Sequence, residues 1–145
     1  MVKYNIEKGK KKKKKGKEAA YRAKISPQQM DDLEEKIKQL IVKQKKYLEK
    51  DYSAKKLAEE IGVKSRDISA VMIVRFQMNY NAYVNTLRIK KAKSILVDER
   101  YQDVRVTKIG EMVGFNNRQS FYGAFYRYVG ITPLHYRMQQ LAKTA

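Results

Sequence analysis

The chain repeats itself, and that constrains its fold more than any other feature. Leu57, Ala58, Ile61, Gly62 and Val63 recur as Ile109, Gly110, Val113, Gly114 and Phe115 at a constant offset of 52. Ile68, Met72 and Tyr83 recur as Phe121, Phe125 and Tyr136 at an offset of 53. The fold must therefore hold two copies of one small unit. Between them lies Asn81 to Val97, NAYVNTLRIKKAKSILV. Val84, Leu87, Ala92, Ile95 and Leu96 fall roughly on one face at helical spacing, with Arg88, Lys90, Lys91 and Lys93 mostly elsewhere. This stretch reads as one bridging helix, roughly 25 Å long at about 1.5 Å per residue.

The 145 residues suffice for one compact domain or two very small ones. With no cysteine there is no disulfide, thiol nucleophile or Cys-based zinc site, which fits a reducing, cytoplasmic setting. No apolar run approaches the length of a membrane span, and no apolar segment follows the N-terminal lysines as in a secretory signal. The net charge is +18, and residues 1–27 account for half of it, with 11 basic side chains against Glu7 and Glu18. The rest of the chain is therefore basic without help from that tail, and such a chain most often meets a polyanion: DNA, RNA or an anionic lipid surface.

Residues 1–25 read as a basic, disordered arm or linker, because the run Lys10–Lys15 repels itself and offers little to bury. Order is expected from Ser26-Pro27, an N-cap followed by the first helical position. Met30, Leu33, Ile37, Leu40, Ile41, Tyr47 and Leu48 repeat at helical spacing and predict one long helix to about Lys50. Ser53 caps a helix Ala54 to Ile61, Gly62 supplies a left-handed turn, and a third helix runs from Ser65 to Phe76. Small Ala58 lets two helices approach, and Leu57, Ile61, Val63, Ile68 and Val71 are the expected core: a helix-turn-helix pattern. Asp98 to Arg105 reads as a loop. Helices follow over Val106 to Val113 and Asn117 to Tyr128, with Gly130 as a stop and Thr132-Pro133 opening a last helix to about Leu141. No stretch alternates at period two for long, so the fold class is all-α with about seven helices. The domain division is an arm over 1–25, a first helix-turn-helix subdomain over 26–78, a linker helix over 79–97 and a second subdomain over 98–145.

The stretch Gly114 to Arg137, GFNNRQSFYGAFYRYVGITPLHYR, resembles the signature of the AraC/XylS family of bacterial transcription regulators. The matching positions are Gly114, Phe115, Phe121, Phe125, Gly130, Thr132, Pro133, Tyr136 and Arg137. In the first copy Leu57, Ala58, Gly62, Ile68, Ser69, Tyr83, Arg88, Ile89 and Ala92 also fall where that family has them. The resemblance covers about Pro27 to Gln140. It implies two helix-turn-helix subdomains on a linker helix, with the third and sixth helices each entering the major groove of double-stranded DNA. Flanking units added to the bridging helix make a separation near one turn of B-DNA, about 34 Å, the working geometry. Many members carry an effector, sensor or receiver domain elsewhere, and RNA polymerase is a further partner to consider. The rival reading is an adaptor whose helix-turn-helix scaffold binds mainly protein; another makes the chain the output domain of a larger regulator.

On that reading, the outward face of the first recognition helix carries Arg66, Ser69, Ala70 and Ile73, and that of the second Arg118, Gln119, Tyr122 and Gly123. Arg66 and Arg118 suit guanine O6/N7, Gln119 suits adenine N6/N7, and Ala70 suits a thymine methyl. Phosphate contacts are expected from Lys64, Ser65, Arg75, Asn117, Ser120 and Arg127. The chain departs from the family at Ala70 and Gly123, where a base-reading side chain is common, at Tyr126, where many members have lysine, and at Gln77, usually glycine. Fewer direct base contacts and more dependence on DNA shape are expected. No catalytic constellation, cofactor site or metal-ligand spacing stands out, and the lone His135 reads as a packed or capping residue.

Overall fold

The computed structural model describes residues 24–144, so the lysine run of the N-terminal arm lies outside the described residues. Seven α-helices and no strand occur among them, as the all-α reading expects. They divide into two compact units, one built from residues 24–40 and Ser53–Tyr80, the other from Ile41–Tyr52 and residues 81–144.

In the first unit, α1 (Pro27–Lys38) starts where the sequence places it. Ser26 Oγ accepts from the Gln29 N–H at 3.2 Å, and Gln29 Oε1 accepts from the Ser26 N–H at 3.1 Å. This reciprocal cap satisfies two otherwise orphaned donors. Met30, Leu33 and Ile37 make the buried stripe.

The helix does not continue to Lys50. It widens into a π-helical turn at Gln39–Lys43, Lys45 turns the chain at φ 58°, and a short 3-10 turn follows at Lys46–Leu48. The apolar spacing of Tyr47 and Leu48 is real but serves another core. Leu48 packs against the apolar cluster of the second unit. The carbonyls of Tyr47 and Glu49 accept from Arg88 Nε and Nη2 at 2.6 and 2.9 Å. In a helix those carbonyls would have been taken up internally.

α2 (Ala54–Ile61) is capped by Ser53 Oγ, which accepts from the Lys56 N–H at 3.2 Å, and it ends at Gly62 with φ 87°. α3 (Ser65–Val71) runs on through a π-helical turn at Met72–Phe76 and stops at Gln77, φ 57°. Leu57, Ala58, Ile68, Val71 and Met72 are buried; Ile61 and Val63, expected in that core, are only half-buried. α1 packs directly on α3. Near the end of α3, Arg75 Nη1 donates to Asp31 at 2.6 Å and to Glu34 at 3.1 Å, and Nη2 donates to the Pro27 carbonyl at 3.2 Å.

The second unit holds nearly all of α4 (Tyr80–Leu96), then α5 (Val106–Met112), α6 (Arg118–Val129) and α7 (Pro133–Thr144). Ile89, Ala92, Ile95 and Leu96 of α4 join Ile109, Val113, Phe115, Phe121, Ala124 and Phe125 in one apolar cluster. Phe121 stacks edge-on against Phe125, which does the same with Tyr136, at 5.9 and 5.7 Å between centroids. Each fully buried phenylalanine contributes about 2–3 kcal/mol by area removed from water. The stretch Asp98 to Arg105, expected as a plain loop, contains a 3-10 turn at Glu99–Tyr101.

Arg137 holds that loop. It is 8% exposed, and its guanidinium donates to the carbonyls of Leu96, Val104 and Tyr101 at 3.0, 2.8 and 3.1 Å. Burial pulls its pKa below the usual arginine value. A planar fork with several fixed donors suits three carbonyls in a way a lysine does not, and the Leu96 carbonyl sits at the negative end of the α4 dipole.

Candidate nucleic-acid interface

In each unit the second helix of the helix-turn-helix offers one face to the core and one to solvent. For α6 the buried side is Phe121, Ala124 and Phe125. Arg118, Gln119, Gly123 and Arg127 are exposed and Tyr122 is half-buried. The guanidinium of Arg118 lies over the Tyr122 ring at 4.9 Å from its centroid, so the two side chains stiffen each other. Asn117 caps the helix, its Oδ1 accepting from the Ser120 N–H at 2.8 Å. That oxygen is therefore committed to the cap. Ser120 itself is exposed.

On α3, Arg66 and Ser69 are exposed, as are Lys64 and Ser65 ahead of them. Two of the residues expected to touch nucleic acid are placed otherwise. Ala70 is 1% exposed and belongs to the core of the first unit, so its methyl is not available to a base. α1 packs on α3, and a small residue on α3 is what close helix contact requires.

Arg75 is likewise engaged within the unit, by Asp31, Glu34 and Pro27, rather than free for a phosphate. Its hydrogen bond to Asp31, ahead of the nearby charges, raises its pKa above the usual arginine value.

Asp67, not among the expected contacts, changes the electrostatics. Asp67 Oδ2 accepts from the Lys64 N–H at 3.3 Å, and Asp67 Oδ1 lies 4.0 Å from Arg66 Nε. A carboxylate thus sits in the turn that presents Lys64, Ser65 and Arg66. Its signal was present three residues after Lys64, the spacing of a reciprocal cap. The corresponding turn of the second unit carries neutral Asn117 and Ser120 instead. His135 is exposed, its N–H donating to Thr132 Oγ1 at 3.2 Å and its ring near Gln139. No group of side chains able to hold a metal ion occurs among the described residues.

A model of the helix-turn-helix domain family matches residues 57–139, more than half of the chain. The chain belongs to the AraC-type helix-turn-helix family. The solved structures agree. The C-terminal domain of the two-component response regulator yesN from Fusobacterium nucleatum is 26% identical, with a TM-score of 0.65 over 73% of this chain and 98% of that one. The C-terminal domain of AraT, a response regulator from Geobacillus stearothermophilus, is 23% identical, with a TM-score of 0.61 over 66% and 77%. An AraC-type transcriptional regulator from Chromobacterium violaceum is 23% identical, with a TM-score of 0.53 over 61% and 76%. No curated protein matches the chain.

AraC-type domains are DNA-binding modules of bacterial transcription regulators, and the family is generally non-enzymatic. Membership explains why the signature residues are where they are. Gly114, at φ 107°, lies so close to the Tyr47 and Leu48 carbonyls that a Cβ would stand 2.8–2.9 Å from them. Arg88 and Arg137 both donate to backbone carbonyls of their own unit. Gln77 adopts the left-handed conformation that a glycine would take without strain. No helix among the described residues is long and apolar enough to cross a membrane.

Proposed function

We propose that this protein is a sequence-specific, double-stranded DNA-binding transcription regulator that inserts α3 and α6 into successive major grooves. The observation that carries this reading is that each unit leaves polar side chains of its second helix-turn-helix helix exposed. These are Arg66 and Ser69 on α3, and Arg118 and Gln119 beside half-buried Tyr122 on α6. Donors and acceptors of this kind match the hydrogen-bonding pattern of base edges. Lys64, Ser65, Ser120, Arg127 and the amide of Asn117 contact phosphates, and the net charge of +18 supplies the long-range attraction.

Selection of bound DNA from a random pool with the full chain tests this. A recovered motif with two short blocks one helical turn apart is expected, with affinity falling steeply as salt rises. Enrichment of no motif would instead favour an adaptor that binds mainly protein, such as RNA polymerase. The similarity to C-terminal domains of response regulators supports a compatible second reading, in which this chain is the cytoplasmic output domain of a larger signalling protein.

A further inference from the structure

The centre of the exposed face of α6 is occupied by a residue assigned no role above. At about 100° per residue, Phe121, Ala124 and Phe125 point to one side of the helix, and Gln119 and Tyr126 lie nearly opposite them. Tyr126 is 61% exposed, among the most exposed large apolar side chains of the described residues. Tyr122 stands one turn before it on the same ridge, its ring held by Arg118. Beside this ridge is Gly123, where a Cβ would meet nothing within 4 Å. α6 therefore presents a ridge of two tyrosine rings with a shallow notch beside it in which bare backbone is accessible.

An aromatic ring on a groove-reading helix offers the apolar contact that the C5-methyl of thymine accepts, and no other base carries that group in the major groove. A notch at Gly123 lets the helix backbone approach the base edges closely, bringing both rings to methyl depth. Four residues of helix rise about 6 Å, close to two base-pair steps of about 3.4 Å each. Resting on the functional reading above, we infer that α6 selects two thymines about two base pairs apart, reading their methyl groups with Tyr122 and Tyr126, and that Gly123 is a specificity residue because it has no side chain. Tyr126 acts through its ring face, so its hydroxyl is dispensable.

The test starts from the DNA site selected by the full chain. Each thymine is replaced in turn by deoxyuridine, which removes only the methyl group. Two replacements about two base pairs apart within one block should each weaken binding about three- to tenfold. Tyr126→Phe should bind as the unaltered chain does, whereas Tyr126→Ala should lose affinity and become insensitive to deoxyuridine at one of those positions. Gly123→Leu should lose affinity at that block alone. Helical content by circular dichroism checks that each variant is folded, and both positions tolerate change because neither belongs to the core.

A motif whose thymines can all be replaced without loss overturns this inference while leaving the functional reading intact. So does equal loss for Tyr126→Phe and Tyr126→Ala, which would assign the hydroxyl to a phosphate. Failure to enrich any motif overturns the functional reading and this one with it.

Discussion

The two helix-turn-helix units descend from the same pattern, yet equivalent positions have different fates. Ala70 and Gly123 correspond at the offset of 53, but Ala70 is buried and Gly123 is open. Ile73 is half-buried, whereas its counterpart Tyr126 is exposed. Ala58 and Gly110 correspond as well, and here the second unit is the tighter. A Cβ on Gly110 would stand 2.5 Å from the Phe121 ring, because phenylalanine fills the place that Ile68 fills in the first unit. Bulkier core residues in one helix thus demand a smaller partner in the next. The first unit is held by a surface ion pair at Arg75, the second by the buried guanidinium of Arg137. A sequence repeat fixes a shared backbone path; it does not fix which face is covered, and so it does not fix which face can bind.

The sharpest way to break this comparison is at the two arginines. Arg137→Ala leaves three carbonyls without a donor and should cost about 3–4 kcal/mol in chemical denaturation. Arg137→Lys should recover only part of that. Arg75→Ala should cost far less, and its effect should shrink in high salt while that of Arg137→Ala does not.

The next largest effect separates the glycines. Gly110→Ala must displace the buried Phe121 ring and should cost about 3 kcal/mol. Gly62→Ala meets open space and carries only the left-handed backbone penalty, about 1–2 kcal/mol. Equal costs would mean the second unit is not packed more tightly than the first.

The ends of the second helix of each helix-turn-helix differ by a single residue type. The first unit stops at Gln77 with φ 57°, the second at Gly130 with φ 88°. Gln77→Gly should stabilise the chain by about 1 kcal/mol, and Gly130→Gln should destabilise it by a similar amount. Thermal denaturation reads both.

A smaller effect concerns binding. Asp67→Asn keeps an acceptor for the Lys64 N–H and removes a negative charge that would face phosphate. DNA affinity should rise about threefold at low salt, and Asn117→Asp should lower it by a comparable factor. Filter binding or fluorescence anisotropy measures both.

The smallest is a pH effect confined to the second unit. Arg100 bonds the Asp98 side chain and holds its carboxyl below the usual aspartate range. With the folded pKa lowered, that contribution is present at neutral pH and is lost as pH falls through the lowered value. Asp98→Asn should therefore flatten the acid limb of a stability–pH curve slightly and leave it unchanged above the ordinary carboxylate range.

Local chemistry was enough to read most of the architecture in advance. Ser26-Pro27, Ser53, Gly62, Gly130 and Thr132-Pro133 act within one turn of themselves, so their caps and stops follow from residue type alone. The repeat at offsets of 52 and 53 announces two units, and apolar spacing together with caps and stops marks the seven α-helices of the described residues. Three matters were settled only by long-range packing. The helix from Pro27 ends early because Leu48 and the Tyr47 and Glu49 carbonyls are claimed by partners some forty residues distant, including Arg88. Ala70 is buried in the core of the first unit, where α1 packs on α3. Arg75 and Arg137 become structural because carboxylates in one case and bare carbonyls in the other come within reach of a guanidinium. Periodicity reports that a residue will be buried or exposed relative to its own helix axis. Which neighbour then covers it is a property of the tertiary fold, because the free energy of that contact is shared by segments far apart in the chain.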